Sequence, residues 1–250
     1  MRTTMTEMSP NVLARIAGVL YLIITVAAAF AHFYVPGQLI VAGDATATAA
    51  NIMASDSLFR IGAIGSELII LLSEVVLSIV LYLLFRPVSK TLSLLAAVSR
   101  LVMTTIHGLN LLNYYFVLQL LGGSAILAVF EPSQVYALVS LFLEAHSYGF
   151  TIGVAFLVPH VLILGYLIFK SGYFPKVLGI LFVIAGIGYL IDTIGLLLVP
   201  SYTTTPGLIA MVIAIAELAF PIWLLVKGVN TAGWEKRTLS AVSSQPLPQA

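Results

Sequence analysis

The sequence predicts an all-α polytopic membrane protein with six transmembrane helices, and three observations support this fold class. Apolar residues make up 60% of the 250-residue chain and charged residues only 8%, whereas charged residues make up about 25% of an ordinary soluble domain. Six segments reach the roughly 20 apolar residues that a helix needs to cross a bilayer. All of the 11 lysines and arginines except Arg60 lie at the same end of these segments. The chain is therefore expected to form one membrane domain.

The six predicted spans follow the apolar runs of the sequence. In chain order they are Val12–Tyr34, Ser57–Phe85, Thr91–Leu121, about Tyr148–Phe169, Val177–Val199 and Leu208–Val226. The first run exceeds the roughly 7–15 apolar residues of a signal-peptide core, so we expect it to remain as a span. The transmembrane domain then covers residues 12–228. It follows a cytoplasmic segment, residues 1–11, and precedes a Ser-, Pro- and Gln-rich cytoplasmic tail, residues 229–250, that we expect to be disordered.

The basic residues also predict the orientation of the chain. Those of two inter-span turns and of the tail mark the cytoplasmic side, namely Arg86, Lys90, Lys170, Lys176, Lys227, Lys236 and Arg237. Arg2 and Arg15 place the amino terminus on that side too, and only Arg60 opposes the pattern. By the positive-inside rule, both termini lie in the cytoplasm and the protein lies in the cytoplasmic membrane.

Two connecting segments carry helical signals of their own. Asp44 predicts the N-cap of a short surface helix over Ala45–Ala54. The helical stretch from Ser133 to Lys170 would be about 57 Å long at roughly 1.5 Å per residue, which is too long for one span. We therefore expect Ser133–Glu144 to lie outside the membrane and to join the fourth span near Ser147–Gly149.

Composition argues against several classes of function. The net charge of +1 and the lack of a dense basic cluster give no indication of nucleic-acid binding. The chain contains no cysteine, which removes disulfides, thiol catalysis and cysteine metal ligands. No nucleotide-binding loop is present, so the chain is not a self-contained ATP-driven pump. The lipid bilayer is the partner that composition predicts, and the oligomeric state stays open.

Several short motifs of glycine, aromatic and charged residues occur along the chain. They are Arg15-Ile16-Ala17-Gly18, Ile61–Glu67, Glu144-Ala145-His146, Ser171-Gly172-Tyr173-Phe174-Pro175-Lys176 and Gly188-Tyr189-Leu190-Ile191-Asp192. In these motifs the chain resembles a family of multi-pass membrane proteins known as domain of unknown function 4386, over roughly residues 12–228. The resemblance implies a six-helix bacterial membrane protein and no particular activity. Function therefore has to be inferred from the polar residues.

Ionisable side chains within the spans are the strongest indication of function. Each costs about 2.5–3.5 kcal/mol at the centre of a bilayer. Such residues normally face the interior of a helix bundle, where they pair with one another or line a wet cavity. In this sequence they are Glu67, Glu74, Arg100, His107, His160, Asp192 and Glu217.

The second and third spans carry matching polar stripes. Residues recur at intervals of seven: Arg60, Glu67 and Glu74 on one span, and Arg100, His107 and Tyr114 on the next. Corresponding members are equally far from the turn at Pro87, so we expect them at equal heights. If the stripes face each other, Glu74 and Arg100 form a structural ion pair, and Glu67 and His107 share a proton.

The fifth and sixth spans offer one further match. Tyr189 and Glu217 are equally far from the centre of the connecting turn, near Thr203. We therefore expect a hydrogen bond from the phenol of Tyr189 to the carboxylate of Glu217.

Heights along the helices group the remaining polar residues. Counting about 1.5 Å per residue from the nearest cytoplasmic basic residue places several side chains in one outer layer, and His146 just above it. Helix packing does not require so many ionisable groups, imidazoles and two carboxylates, at one height in the membrane. We predict that this layer lines a polar cavity opening outward, formed by Glu67, His107, Asn110, Asp192, His32 and His146.

Three functions could use this layer. The first is passage or coupling of a small solute or of protons, with Glu67, His107 and Asp192 changing protonation as in transporter relays. The second is a zinc-dependent intramembrane hydrolase, with ligands drawn from His32, His107, His146, Glu67 and Asp192. The third is a non-catalytic sensor or accessory subunit. No close-set H-E-x-x-H motif is present, so the sequence favours the first function, which is not enzymatic and needs no cofactor.

Overall fold

The computed structural model describes residues 8–123 and 127–243 of the chain. Every element of regular structure in these residues is helical, which confirms the predicted all-α fold class. In chain order the helices are α1 (Pro10–Leu39), α2 (Ala45–Ala54), α3 (Leu58–Phe85), α4 (Lys90–Leu121), α5 (Pro132–Ser171), α6 (Lys176–Leu198), α7 (Gly207–Val226) and α8 (Thr231–Ser243).

Six of these helices are long and apolar enough to cross a membrane, namely α1, α3, α4, α5, α6 and α7. They correspond in order to the six predicted spans, so the chain is a multi-pass membrane protein. Two helices differ in extent from the prediction. Helix α1 continues to Leu39, and α5 is one helix of 40 residues rather than a separate segment followed by a span. The hydroxyl of Ser147 bonds to the carbonyl of Leu143 within the helix, so the expected joint does not interrupt α5.

The described helices divide into two compact units. The central unit comprises residues 23–74 and 102–153, apart from 124–126, and the terminal unit comprises residues 8–22, 75–101 and 154–243. The central unit has a hydrophobic core made of Val35, Leu39, Ile52, Phe59, Ala63, Tyr114, Val117, Leu118, Val139 and Leu143. Helix α2 belongs to this unit and begins after Asp44, whose carboxylate accepts a hydrogen bond from the Ala47 amide at 2.8 Å. This confirms the predicted N-cap.

Aromatic rings form the centre of the terminal unit. Phe220 of α7 contacts the rings of Tyr21, Phe174 and Phe182, and Phe85 contacts Phe174. Most of these contacts are edge-to-face or tilted, which is the favourable geometry for aromatic pairs.

Helix α8 occupies part of the segment that the composition predicted to be disordered. Its Trp234 donates a hydrogen bond from Nε1 to the carbonyl of Leu84 at 3.2 Å, and Tyr173 donates to the same oxygen at 2.8 Å. The last carbonyls of a helix have no intrahelical partner, so the end of α3 offers acceptors to both side chains. The prediction of disorder is therefore wrong for residues 231–243, and residues 244–250 lie outside the described part of the chain.

Helices α5 and α6 cross at a pair of glycines within the terminal unit. A Cβ atom placed on Gly179 would lie 2.6 Å from the carbonyl oxygen of Gly165 and 2.6 Å from the backbone nitrogen of Phe169. Small residues of this kind let the backbones of membrane helices approach closely. The contact involves backbone atoms on both sides, so no side chain can move away to make room.

We predict that Gly179→Ala destabilises the protein by about 1–3 kcal/mol or more, because the two helices must separate. The measurement is thermal unfolding in detergent, followed by size-exclusion chromatography. Gly207→Ala is the matched control, since a Cβ atom there meets no atom within 4 Å. Equal melting temperatures for the two variants would show that the crossing is not tight.

The orientation of the chain remains a prediction, and single cysteines test it. Thr46, Thr91, Thr204 and Ser240 are all exposed, and the wild type has no cysteine to give background labelling. Thr46→Cys and Thr204→Cys should react with a membrane-impermeant thiol reagent in intact cells. Thr91→Cys and Ser240→Cys should react only after lysis, because the basic residues near them keep these segments in the cytoplasm. Labelling of Thr91→Cys in intact cells would reverse the predicted topology.

Candidate functional site

The central unit contains a buried carboxylate that is hydrogen-bonded to a histidine. Oε1 of Glu67 on α3 bonds to Nε2 of His32 on α1. Glu67 is only 3% exposed, whereas the side chain of His32 is 25% exposed. A buried carboxylate is costly unless a hydrogen-bonding partner compensates it, and His32 supplies that partner while keeping part of its ring accessible.

Two π-helical segments hold this pair. His32 lies within the π-helical segment Phe30–Tyr34 of α1, and Glu67 follows the π-helical segment Leu58–Gly65 of α3. π-Helical turns are rare and occur frequently at functional sites. The two segments contact each other at Gly62, where a Cβ atom would lie 2.7 Å from Val35 and 3.3 Å from Phe30. Sequence patterns contain no reliable signal for such turns, so neither segment was predicted.

His107 of α4 has a different partner from the one predicted. Its Nε2 donates a hydrogen bond to the carbonyl oxygen of Phe150 on α5 at 3.1 Å, and its ring stacks on the Phe150 ring at 4.8 Å. A carbonyl oxygen only accepts, so this nitrogen carries the proton. The carboxylate of Glu67 bonds to His32 instead. The direct hydrogen bond between Glu67 and His107, which was expected only if the two stripes face each other, is therefore not formed, although the two residues do interact electrostatically.

Asn110 and His146 lie together, as the height argument predicted. The amide of Asn110 donates to the backbone carbonyl of His146 at 2.9 Å, and Asn113 donates to the side-chain oxygen of Asn110 at 2.9 Å. The ring of His146 stacks on that of Tyr114 with centroids 3.7 Å apart. Asn110, His146 and Tyr114 are all buried. Residue counting predicts Tyr114 at the height of Arg60, and it gives no indication that Tyr114 stacks on a histidine.

We refer to His32, Glu67, His107, Asn110 and His146 as the His–Glu cluster. The carboxylate of Glu67 interacts electrostatically with all three imidazoles of the cluster. A proton bound by any of these rings is therefore attracted to the same negative charge.

Two glycines of α5 allow the cluster to form. A Cβ atom on Gly149 would overlap the side-chain amide of Asn110, and one on Gly153 would overlap the ring of His107. Both side chains of α4 therefore lie directly on the backbone of α5, where they reach its carbonyl groups. Gly149 lies three residues after the motif Glu144-Ala145-His146, which is the sequence signal that could have identified it.

Asp192 is held by hydrogen bonds of its own in the terminal unit. Its two carboxylate oxygens accept hydrogen bonds from the hydroxyls of Tyr202 at 2.8 Å and Thr205 at 2.9 Å, in the loop between α6 and α7. Partial burial and the hydrogen bond to the Asp192 carboxylate raise the pKa of Tyr202 to about 12. These two hydrogen bonds hold the loop against α6. The assignment of Asp192 to the polar cavity stays a prediction.

Arg100 and His160 form a second buried polar group in the terminal unit. Arg100 donates from Nη1 to Nε2 of His160 at 2.9 Å, and His160 donates from Nδ1 to the carbonyl of Ala96 at 2.9 Å. Arginine has no acceptor, so Nε2 carries no proton and the imidazole is neutral. The guanidinium also lies 5.3 Å from the ring centroid of Tyr21. The predicted ion pair of Arg100 with Glu74 stays a prediction.

The predicted hydrogen bond between α6 and α7 is present. The hydroxyl of Tyr189 donates to Oε1 of Glu217. Equal distance from the connecting turn was sufficient to predict it, because the turn is short and both helices leave it directly.

The predicted zinc ligands do not form a metal site in the described part of the chain. There, no three His, Asp or Glu side chains are close enough together to hold one metal ion. The ring of His146 stacks on Tyr114, and Glu67 is engaged with His32. Structural and catalytic zinc sites use three or four such ligands converging on one point, so the geometry gives no support to the hydrolase.

Comparison with known proteins places the chain in a family. The family described as domain of unknown function (DUF4386) matches residues 16–228. The chain belongs to this family. It is also similar to an uncharacterized protein of the archaeon Archaeoglobus fulgidus, with 33% identity over 183 residues, which are 73% of this chain and 88% of the relative. No solved structure matches the chain. Since this relative is archaeal, the bacterial origin that the resemblance implied stays a prediction.

We predict that Gly153→Ala destabilises the protein by about 1–3 kcal/mol, because the added methyl group displaces the His107 ring and its hydrogen bond to Phe150. Gly108→Ala is the matched control, since it lies beside His107 and its Cβ atom would meet only Leu71, at 3.8 Å. Thermal unfolding in detergent measures stability, and the ¹⁵N shifts of labelled histidines report the position of His107. A Gly153→Ala variant with unchanged His107 shifts would contradict the close packing.

Proposed function

We propose that this membrane protein binds and exchanges protons at the His32–Glu67 pair, and that it uses the exchange to move protons or a small solute across the membrane. The observation that carries this proposal is a nearly fully buried carboxylate bonded to a partly exposed imidazole. Both groups lie within helices that are long and apolar enough to span a membrane.

The energetic cost of placing the ionisable pair His32–Glu67 within spanning helices supports a functional role for the pair. Ionisable residues at membrane depth are expensive and commonly belong to proton relays or substrate pathways. A simple packing contact would be satisfied by apolar side chains in both positions. The Glu67 carboxylate bonded to the partly exposed His32 ring instead offers two adjacent proton positions, as a relay requires.

A proton from the water side, which is the outer side in the predicted orientation, binds Nδ1 of the partly exposed His32 ring. The ring then releases its Nε2 proton along the hydrogen bond to Oε1 of Glu67, which leaves a neutral imidazole with its proton on Nδ1 and a neutral carboxyl group. A second proton is accepted only after Glu67 has released its proton and the His32 proton has returned to Nε2 through water.

A transporter also requires two conformations, and we propose that the π-helical segments allow them. A π-helical turn holds one residue more than an α-helical turn, so conversion to α-helix rotates the residues on one side of it. Such a rotation would carry His32 away from Glu67. Proton binding at the pair can therefore be coupled to movement of α1.

Proton flux into proteoliposomes tests the proposal. Wild-type protein, reconstituted with a pH-sensitive dye inside, should carry protons inward after an external acid pulse. Glu67→Gln should reduce the rate to that of protein-free liposomes, because the amide cannot take up the proton. Glu217→Gln is the matched control and should keep the wild-type rate, since Glu217 is also a carboxylate in a spanning helix with a hydrogen-bonded partner.

Two outcomes would contradict the proposal. One is wild-type flux no greater than in empty liposomes, which would favour the sensor or accessory subunit. The other is equal flux in the wild type and in Glu67→Gln liposomes. The folded yield of each variant, measured by size-exclusion chromatography, separates loss of exchange from loss of structure.

A further inference from the structure

Arg60 is the basic residue that opposes the charge pattern of the chain, and the proton site makes no use of it. All other lysines and arginines lie at or near the opposite ends of the spans, except Arg100, which is buried within α4. Arg60 lies in the first turns of α3 and pairs with Asp56, with 2.7 Å between Nε and Oδ2. Both side chains are about half exposed, at 55% and 51%. Exposed ion pairs of this kind contribute little to stability. A contribution to stability therefore does not explain why Arg60 opposes the charge pattern of the chain.

A cleft of about 330 Å³ lies beside this pair in the central unit. One side of it carries the charges of Arg60 and Asp56. The rest is contributed by the surface helix α2 and by the end of α4, namely Ile52, Met53, Leu118, Leu121 and Gly122. The cleft thus combines a cation and an anion with an apolar wall.

The hydrogen-bonding capacity of the pair is only partly used. Within residues 8–123 and 127–243, the bond from Nε of Arg60 to Oδ2 of Asp56 is the one hydrogen bond that the two side chains make. Both Nη groups of the guanidinium remain as donors, and Oδ1 of the carboxylate remains as an acceptor. The cleft therefore offers donors for an anion and, next to them, an acceptor for an ammonium group.

We propose that this cleft binds a zwitterionic phospholipid that has a primary ammonium group in its head. The phosphate oxygens accept hydrogen bonds from the Nη groups of Arg60, in the planar geometry that arginine prefers for phosphate. The ammonium group donates to Oδ1 of Asp56. The first part of an acyl chain lies along Leu118, Leu121 and Met53.

The charges of the site select this class of ligand. An anionic head without an ammonium group would bring a negative charge close to Asp56. A quaternary ammonium group has no N–H to donate to Oδ1. The apolar wall favours an acylated ligand over the free headgroup, because burying CH₂ groups away from water is favourable.

Native mass spectrometry of the detergent-purified protein tests the proposal. Equal amounts of dilauroyl phosphatidylethanolamine, phosphatidylcholine and phosphatidylglycerol are added, and bound lipid is counted. We expect phosphatidylethanolamine to be retained about tenfold more than either of the others, as for one or two charge-assisted hydrogen bonds. Arg60→Gln should remove this retention, and Asp56→Asn should remove the preference over phosphatidylglycerol.

The control is Lys90→Gln, which removes an exposed basic residue from the start of another spanning helix and should leave the preference unchanged. Equal retention of the three lipids would overturn the proposal, as would wild-type retention by Arg60→Gln. Displacement of the lipid by soluble phosphoethanolamine at comparable concentration would overturn the assignment to lipid. Because neither Arg60 nor Asp56 belongs to the His–Glu cluster, the result is independent of the proton-flux test.

Discussion

Polar atoms in the interior of a bilayer have no water with which to replace a missing hydrogen bond. This constraint explains the arrangement of the buried polar side chains in both units. Glu67 is bonded to His32, and Arg100 is bonded to a neutral His160. Where no side chain is available, the partner is a backbone carbonyl, as for His107 and Phe150. Each polar group in these contacts specifies how two helices dock.

Backbone carbonyls can serve as partners only where the helices come very close. In the central unit, Gly149 and Gly153 leave room on α5 for Asn110 and His107. In the terminal unit, Gly165 and Gly179 bring the backbones of α5 and α6 together in the same way. Glycine weakens a helix in water, but in a membrane the packing it permits compensates for that cost.

The His32–Glu67 pair combines chemistry with a local departure from α-helical geometry. A π-helical turn changes which residues of a helix face a neighbour, and both partners lie in or beside such a turn. Counting residues from Pro87 places Glu67 at the height of His107, and the segments counted, Ser66–Phe85 and Lys90–Leu121, are both α-helical. The two residues do interact electrostatically. The count gives no direction, however, and Glu67 bonds to His32 of α1.

The sequence by itself determined the class, the number and order of the spans, the N-cap at Asp44 and the Tyr189–Glu217 hydrogen bond. These features depend on apolar length, on charge and on distance along the chain, which are all local quantities. Only the tertiary structure decided that Glu67 bonds to His32, that His107 bonds to Phe150 and that Trp234 orders α8 at the end of α3. Height on a helix follows from counting residues. The direction in which a side chain points, and the helix it meets there, follow from packing between elements that are distant in the sequence.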